Sequence, residues 1–157
     1  MRVLSWAVLA LSSAVLACGG STSPEDAFPL RLSVAGPSRV LIGDSAVMVI
    51  SLRNESAAEF PAVYPGSGGT PHGRLVVLRQ SGDTVWWHAG SVTLPMSSNF
   101  FSPNGSVHQT LVWPLQDRAG AAVVSGPYRL YAELDLFEAH RERTLRSAEI
   151  TVVVADR

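Results

Sequence analysis

From Tyr128 to Leu136 the chain alternates two kinds of residue. Tyr128, Leu130, Ala132, Leu134 and Leu136 fall on one parity, and Arg129, Tyr131, Glu133 and Asp135 on the other. Successive side chains of a β-strand point to opposite faces, so this pattern makes a strand with one buried and one solvated face. An amphipathic helix would need apolar residues three and four apart, and no long stretch supplies them. The two-residue period recurs. Leu30, Leu32 and Val34 alternate with Arg31, Ser33 and Ala35. Ala46, Met48, Ile50 and Leu52 alternate with Val47, Val49, Ser51 and Arg53. Val107, Gln109, Leu111 and Trp113 alternate with His108, Thr110 and Val112, and Ile150, Val152 and Val154 repeat the pattern. Half-buried strands of this kind bury their apolar faces by stacking sheets.

The strands are separated by turn chemistry. Gly36-Pro37-Ser38, Gly43-Asp44, Asn54-Glu55-Ser56 and Asp117-Arg118-Ala119-Gly120 break the runs. Val40 to Ile42 is a short continuation, and Val123-Val124 reads as another short strand. Ser81-Gly82-Asp83 between Arg74–Arg79 and Thr84–His88 is a hairpin signal. Residues 60–73 are rich in Pro and Gly and read as a long loop. Residues 89–106 read as irregular, and residues 138–146 as one or two helical turns or a charged hairpin tip. Together these signals predict an all-β fold, an immunoglobulin-like antiparallel β-sandwich of about seven to nine short strands.

A different signal occupies the N-terminus. Arg2 precedes an almost wholly apolar run from Val3 to Leu16, too short for the roughly 20 residues that span a bilayer. It fits the apolar region of a secretory signal. Val15-Leu16-Ala17-Cys18 resembles the bacterial lipobox, in which the peptide bond before a lipid-modified cysteine is cut. The expected organisation is a lipoprotein signal peptide over residues 1–17, a flexible tether over 18–28 and a β-sandwich domain over 29–157. Cys18 is the expected lipidation residue and the membrane the expected partner. Acyl chains contribute about 0.8 kcal/mol per buried methylene, and stable anchoring takes two hydrophobic signals. The segment from Gly19 to Ala27 is small and polar, and extends to about 30 Å. The expected location is therefore the cell envelope of an exporting cell. Gly19 after the cysteine, by its resemblance to known lipoproteins, implies the outer membrane if the host has one.

Composition narrows the function. Removing residues 1–17 removes one of the 12 basic residues and leaves 11 against 13 acidic ones. No basic field exists to favour nucleic acid. All the basic residues are arginine, so no lysine is present for Schiff-base or phosphate-loop chemistry. Cys18 is the single cysteine, so the domain stands on its apolar core without an internal disulfide.

The order of signals in the domain resembles a known family. Asp83-Thr-Val-Trp-Trp87 follows a strand and turn. Phe100-Phe101, then Trp113 at a strand end, then Asp117-x-x-Gly120 follow. A strand containing Val123 and the run Gly126-Pro-Tyr128-Arg-Leu-Tyr-Ala132 complete the order. From about Val34 to Val154 the chain is similar to the intracellular proteinase inhibitor (BsuPI-type) family. The resemblance implies an immunoglobulin-like sandwich and a protein partner such as a serine protease. It brings no catalytic signature.

The residues themselves point the same way. Gly43-Asp44-Ser45 resembles the nucleophile block of one esterase class, but the companion glycine and the downstream Asp-x-x-His are missing. His72, His88, His108 and His140 are not spaced as metal ligands, and Glu133 and Asp135 share a strand face without a calcium-loop signature. Neither catalytic residues nor a metal or cofactor site is expected. Trp86, Trp87, Phe100 and Phe101 form the aromatic concentration that could meet a partner. Trp86 and Trp87 are strand neighbours, so one belongs to the core and the other to the surface. Tyr128 is placed to brace a strand corner through its hydroxyl. The expected activity is protein recognition through residues 60–73 and 89–106. The alternative is a carbohydrate- or envelope-binding module that stacks sugars on an exposed aromatic.

Overall fold

The structure is a computed structural model that describes residues 28–67, 69–88, 96–138 and 141–157. Residues 1–27, which hold the expected signal peptide, Cys18 and all of the expected tether but Phe28, lie outside the described residues, as does His140. The strands are β1 (Leu30–Ala35), β2 (Arg39–Leu41), β3 (Ala46–Asn54), β4 (Phe60–Ser67), β5 (Thr70–Pro71) and β6 (Arg74–Arg79). They continue with β7 (Thr84–His88), β8 (Met96–Phe101), β9 (Ser106–Trp113), β10 (Gly126–Glu138), β11 (Arg141–Arg146) and β12 (Ile150–Ala155). The fold is all-β, an immunoglobulin-like antiparallel sandwich.

One layer is the sheet β1-β3-β9, paired Val34↔Ile50 and Met48↔Leu111. The other is built on β10. One edge of β10 pairs with β12 at Gly126–Leu130 and with β11 at Glu133–Glu138. Ser147 fills the step between them: its N–H donates to Ala132 O and its Oγ accepts from Ala132 N–H, both at 2.9 Å. The opposite edge pairs with β6 over Tyr128–Glu133 and with β4 at Phe137↔Val63. β7 extends β6, β8 extends β4, and β2 runs parallel to β12. The even residues of β10 enter the core with Leu75, Val77, Val152 and Val154, against Met48, Ile50, Leu52 and Trp113. Burial of such side chains contributes roughly 1.5–3 kcal/mol each.

Two expected loops are sheet instead. Residues 60–67 and 70–71 form β4 and β5, although the segment carries Pro61, Pro65 and Pro71. Proline costs a strand one ladder donor, which is harmless on an unpaired edge. Pro65 O accepts from His72 N–H at 2.9 Å, so the edge bearing the Pro65 nitrogen faces away from β8. Pro61 shares that parity, and β10 meets this edge only at Val63. Within 89–106, residues Met96–Phe101 form β8 and Ser106 opens β9, while 89–95 lie outside the described residues.

Other expectations resolve locally. Val123-Val124 is not a strand; only the bridge Gln116↔Ala122 forms nearby. Of the 138–146 region, residue 138 closes β10 and residues 141–146 form β11, paired antiparallel with Phe137↔Glu142 and Leu136↔Arg143 in register, while 139–140 lie outside the described residues. The β6–β7 hairpin forms as expected, with Gly82 in the left-handed region at φ 100° and a bulge between Val77 and Leu78. Tyr128 donates from its hydroxyl to Val124 O at 2.8 Å and packs edge-on to Trp113 at 5.2 Å.

Candidate functional site on the outer face of the larger sheet

The register of β8, β4 and β10 places six apolar side chains on one solvent-facing surface. Pro61 pairs with Phe100, Pro65 with Met96, and Val63 with both Ser98 and Phe137. Side chains of directly paired residues share a face, and so do residues two apart. Pro61, Val63, Pro65, Met96, Phe100 and Phe137 therefore form one patch around Ser98. Their sequence neighbours Ala62, Tyr64, Phe101 and Leu136 point inward and are buried. Phe100 is 63% exposed, Met96 48% and Phe137 39%. At about 200 Å² per aromatic ring, the two phenylalanines alone show roughly 200 Å². Apolar exposure gathered on one face makes this patch the candidate interaction surface of the described residues. The rim is acidic, because Asp135 and Glu142 lie beside Phe137 on the same face and are exposed.

The patch is rigidly supported. Tyr64, fully buried, donates from its hydroxyl to Gly69 O at 2.8 Å and accepts from Asn99 Nδ2 at 3.3 Å. Ser97 Oγ donates to Gly66 O at 2.9 Å. The bonds from Asn99 and Ser97 tie β8 to β4, and the Tyr64 hydroxyl carries the tie on to the β4–β5 turn. Asn54, also fully buried, ties the turn that leads into β4 to the end of β8. Its Nδ2 donates to Ala58 O at 2.7 Å and Phe101 O at 2.9 Å, and its Oδ1 accepts from Ser56 N–H at 3.0 Å. Phe28 stacks edge-on against Phe60 at 5.4 Å, so the chain enters the domain beside the first residue of β4.

The four expected contact aromatics separate. Phe100 is central to the patch. Phe101 is 3% exposed and packs 6.1 Å from the Tyr64 ring; it is a core residue and not a contact, because strand neighbours face opposite ways. Trp86 packs half-buried against the core. Trp87 faces outward, half-buried, on the other half of the same sheet face. There it pairs with Val76, which pairs with Tyr131. Arg118 reaches over Trp87 with its Cζ 5.2 Å from the ring centroid, and Arg146 lies over Tyr131 at 3.6 Å. Arg74 is ion-paired with Glu133, whose hydrogen bond holds the guanidinium pKa above its ordinary value. Arg129 and Arg146 share Glu149, each at 3.1 Å.

The remaining chemical candidates stay apart. Ser45 lines a shallow depression with Pro37, Arg39, Val40, Leu41, Asp44 and Val47, and no histidine lines it. Ser51 Oγ lies 2.8 Å from His108 Nδ1, a pairing that register alone reveals, since the two are cross-strand partners. The other ring nitrogen of His108 meets Ser106 Oγ at 3.2 Å, so no carboxylate orients the imidazole. Among the described residues no three His, Cys, Asp or Glu side chains converge as metal ligands. Glu133 is engaged by Arg74, and Asp135 accepts from the Thr144 hydroxyl at 2.7 Å. No helix among the described residues is long and apolar enough to cross a membrane.

No protein-family model matches the sequence. No curated protein matches it either. Among solved structures, the chain is similar to the CARDB domain of a Pyrococcus furiosus protein, crystallised in complex with di-metal ions. The identity is 16% and the TM-score 0.43, over 80% of this chain and 87% of that one. It is similar to the sporulation control protein Spo0M of Bacillus subtilis at 7% identity and TM-score 0.47, over 82% of this chain and 50% of that one. A mutant β-glucosidase of Listeria innocua in complex with laminaribiose aligns at 9% identity and TM-score 0.40, over 80% of this chain and 16% of that one.

Proposed function

We propose that this chain is an exported, lipid-anchored β-sandwich that works by binding another protein through the outer face of β8, β4 and β10. The single observation that carries the reading is the contiguous patch of Pro61, Val63, Pro65, Met96, Phe100 and Phe137 on a rigid, solvent-facing surface. An apolar centre with a charged rim is the general anatomy of a protein interface. The acidic rim of Asp135 and Glu142 fits a partner with basic residues around an apolar knob, and repels an anionic lipid surface. The residues that resemble a proteinase inhibitor domain make a serine protease the first partner class to test. Such a partner would meet a flat strand face at β4, because residues 60–67 are held in the sheet and do not project as a substrate-like loop.

Anchoring rests on Cys18 as the acyl acceptor, with residues 19–27 as the spacer to Phe28. The proposal is tested on the full chain in an exporting bacterial host. Cys18→Ala is expected to abolish metabolic acyl labelling and release the protein from the membrane fraction. Unchanged membrane retention of that variant would refute the anchor. Incubation of the purified protein with a panel of serine proteases, with Phe100→Asp as the control, tests the partner class. Slowed cleavage that Phe100→Asp abolishes supports inhibition, and uninhibited cleavage across the panel removes it.

A further inference from the structure

We infer that the cationic half of the same sheet face is a second binding site, and that its ligand is a carboxylated sugar. Arg118 is the reason. Arg74, Arg129 and Arg146 each hold a carboxylate of the protein, whereas Arg118 makes no ion pair among the described residues. Asp83 and Asp117, which line the adjoining depression with Arg118, are engaged in their own turns. Asp117 Oδ1 accepts from the N–H groups of Ala119 and Ala121, both at 2.9 Å. Asp83 Oδ2 accepts from the Ser81 hydroxyl at 2.7 Å.

Arg118 is nonetheless fixed in place. Its main-chain N–H donates to Val85 O at 3.0 Å, which staples the β9–β10 connection to β7. Its guanidinium rests over Trp87, an arrangement that orders the side chain without neutralising it. A guanidinium held this way keeps its planar fork free for an external carboxylate, which it can take with two parallel hydrogen bonds.

The surroundings describe the rest of the ligand. Arg118, Arg74, Val76, Thr84, Trp87 and Tyr131 line a depression of about 280 Å³. Trp87 and Tyr131 flank Val76 on adjacent strands, so two aromatic walls stand on an apolar floor. Arg146, stacked on Tyr131 and bonded to Glu149, holds the second wall. A pyranose ring offers an apolar C–H face to an aromatic wall, hydroxyls to Thr84 and Arg74, and a carboxylate to Arg118. Nucleic acid fits poorly, since phosphate-backbone affinity grows with the number of free cations, and of the two arginines lining this depression Arg74 is ion-paired and Arg118 alone is unpaired among the described residues. The site shares no residue with the apolar patch, so the two proposals stand or fall separately.

The test uses the full chain purified in detergent and isothermal titration with trigalacturonate, a neutral trisaccharide of the same length, and inorganic phosphate. Saturable binding of trigalacturonate is expected, with the neutral trisaccharide and phosphate each at least about tenfold weaker, as the loss of one charged hydrogen-bonded contact implies. Arg118→Ala and Trp87→Ala are each expected to weaken trigalacturonate about tenfold or more, and Arg118→Ala retains the thermal midpoint because Arg118 is exposed. Phe100→Ser is expected to leave the affinity unchanged. Absence of saturable trigalacturonate binding would overturn the inference. So would equal affinity for the neutral trisaccharide or phosphate, or an Arg118→Ala variant that binds like the parent.

Discussion

Replacing Asn54 by leucine separates what builds the candidate interface from what merely lies near it. Asn54 is fully buried at the end of β3, and its amide joins the 54–58 turn to the end of β8. Leucine of similar size leaves Phe101 O, Ala58 O and the Ser56 N–H without this partner. Two neutral hydrogen bonds at about 1 kcal/mol each, plus a buried carbonyl left unpaired at roughly 1–3 kcal/mol, sum to about 3 to 5 kcal/mol. For a domain of this size that lowers the thermal midpoint by about 10 °C. The loss is also local, because among the described residues β8 pairs only with β4. Urea unfolding measures the first effect, and hydrogen exchange of peptides covering residues 96–105 measures the second. Both are expected: a lower midpoint, and faster exchange in β8 than in β10. A cost under about 1 kcal/mol, or unchanged protection of β8, would refute the claim that Asn54 holds the patch in register.

Adjacent phenylalanines give a sharper contrast. Phe100→Ser is expected to change stability by no more than about 0.5 kcal/mol, and Phe101→Ala to cost about 3–5 kcal/mol, both read from chemical denaturation. Tyr128 supplies a pH dependence. Burial holds its hydroxyl pKa above the ordinary value, so the folded state keeps the proton more tightly than the unfolded chain. The corresponding stability is complete below about pH 10 and is lost as the pH rises through the higher folded value. Tyr128→Phe is expected to lose about 1 kcal/mol at pH 7 with the bond to Val124 O, and to decline less than the parent between pH 7 and 11 in urea melts.

The strands with strict alternation were legible because each has one dry face: β1, β3, β9, β10 and β12 all follow the two-residue period. β4 was hidden by Pro61, Pro65 and Gly66, whose usual turn meaning lapses where proline nitrogens line a sparsely paired edge. β8 was hidden because Ser97 and Asn99 occupy its inward parity and bond to Gly66 O and Tyr64 Oη. A polar inner face satisfied by hydrogen bonds carries no hydropathy signal. The two stretches expected to carry recognition meet as paired strands, and the shared face is a property of their register. Opposite orientation of Trp86 and Trp87 followed from strand geometry. The placement of Arg118 over Trp87 did not, since it depends on a tertiary bond to Val85 O.

The central claim is that the β8–β4–β10 face meets a protein. Photocrosslinking in living cells tests it most directly, with a benzophenone amino acid at position 100 and, as the control, at position 47, which is 51% exposed on the opposite sheet. The account predicts a discrete protein adduct from position 100, retained in the membrane fraction, and none from position 47. No adduct at position 100, or the same adducts from both positions, would contradict it.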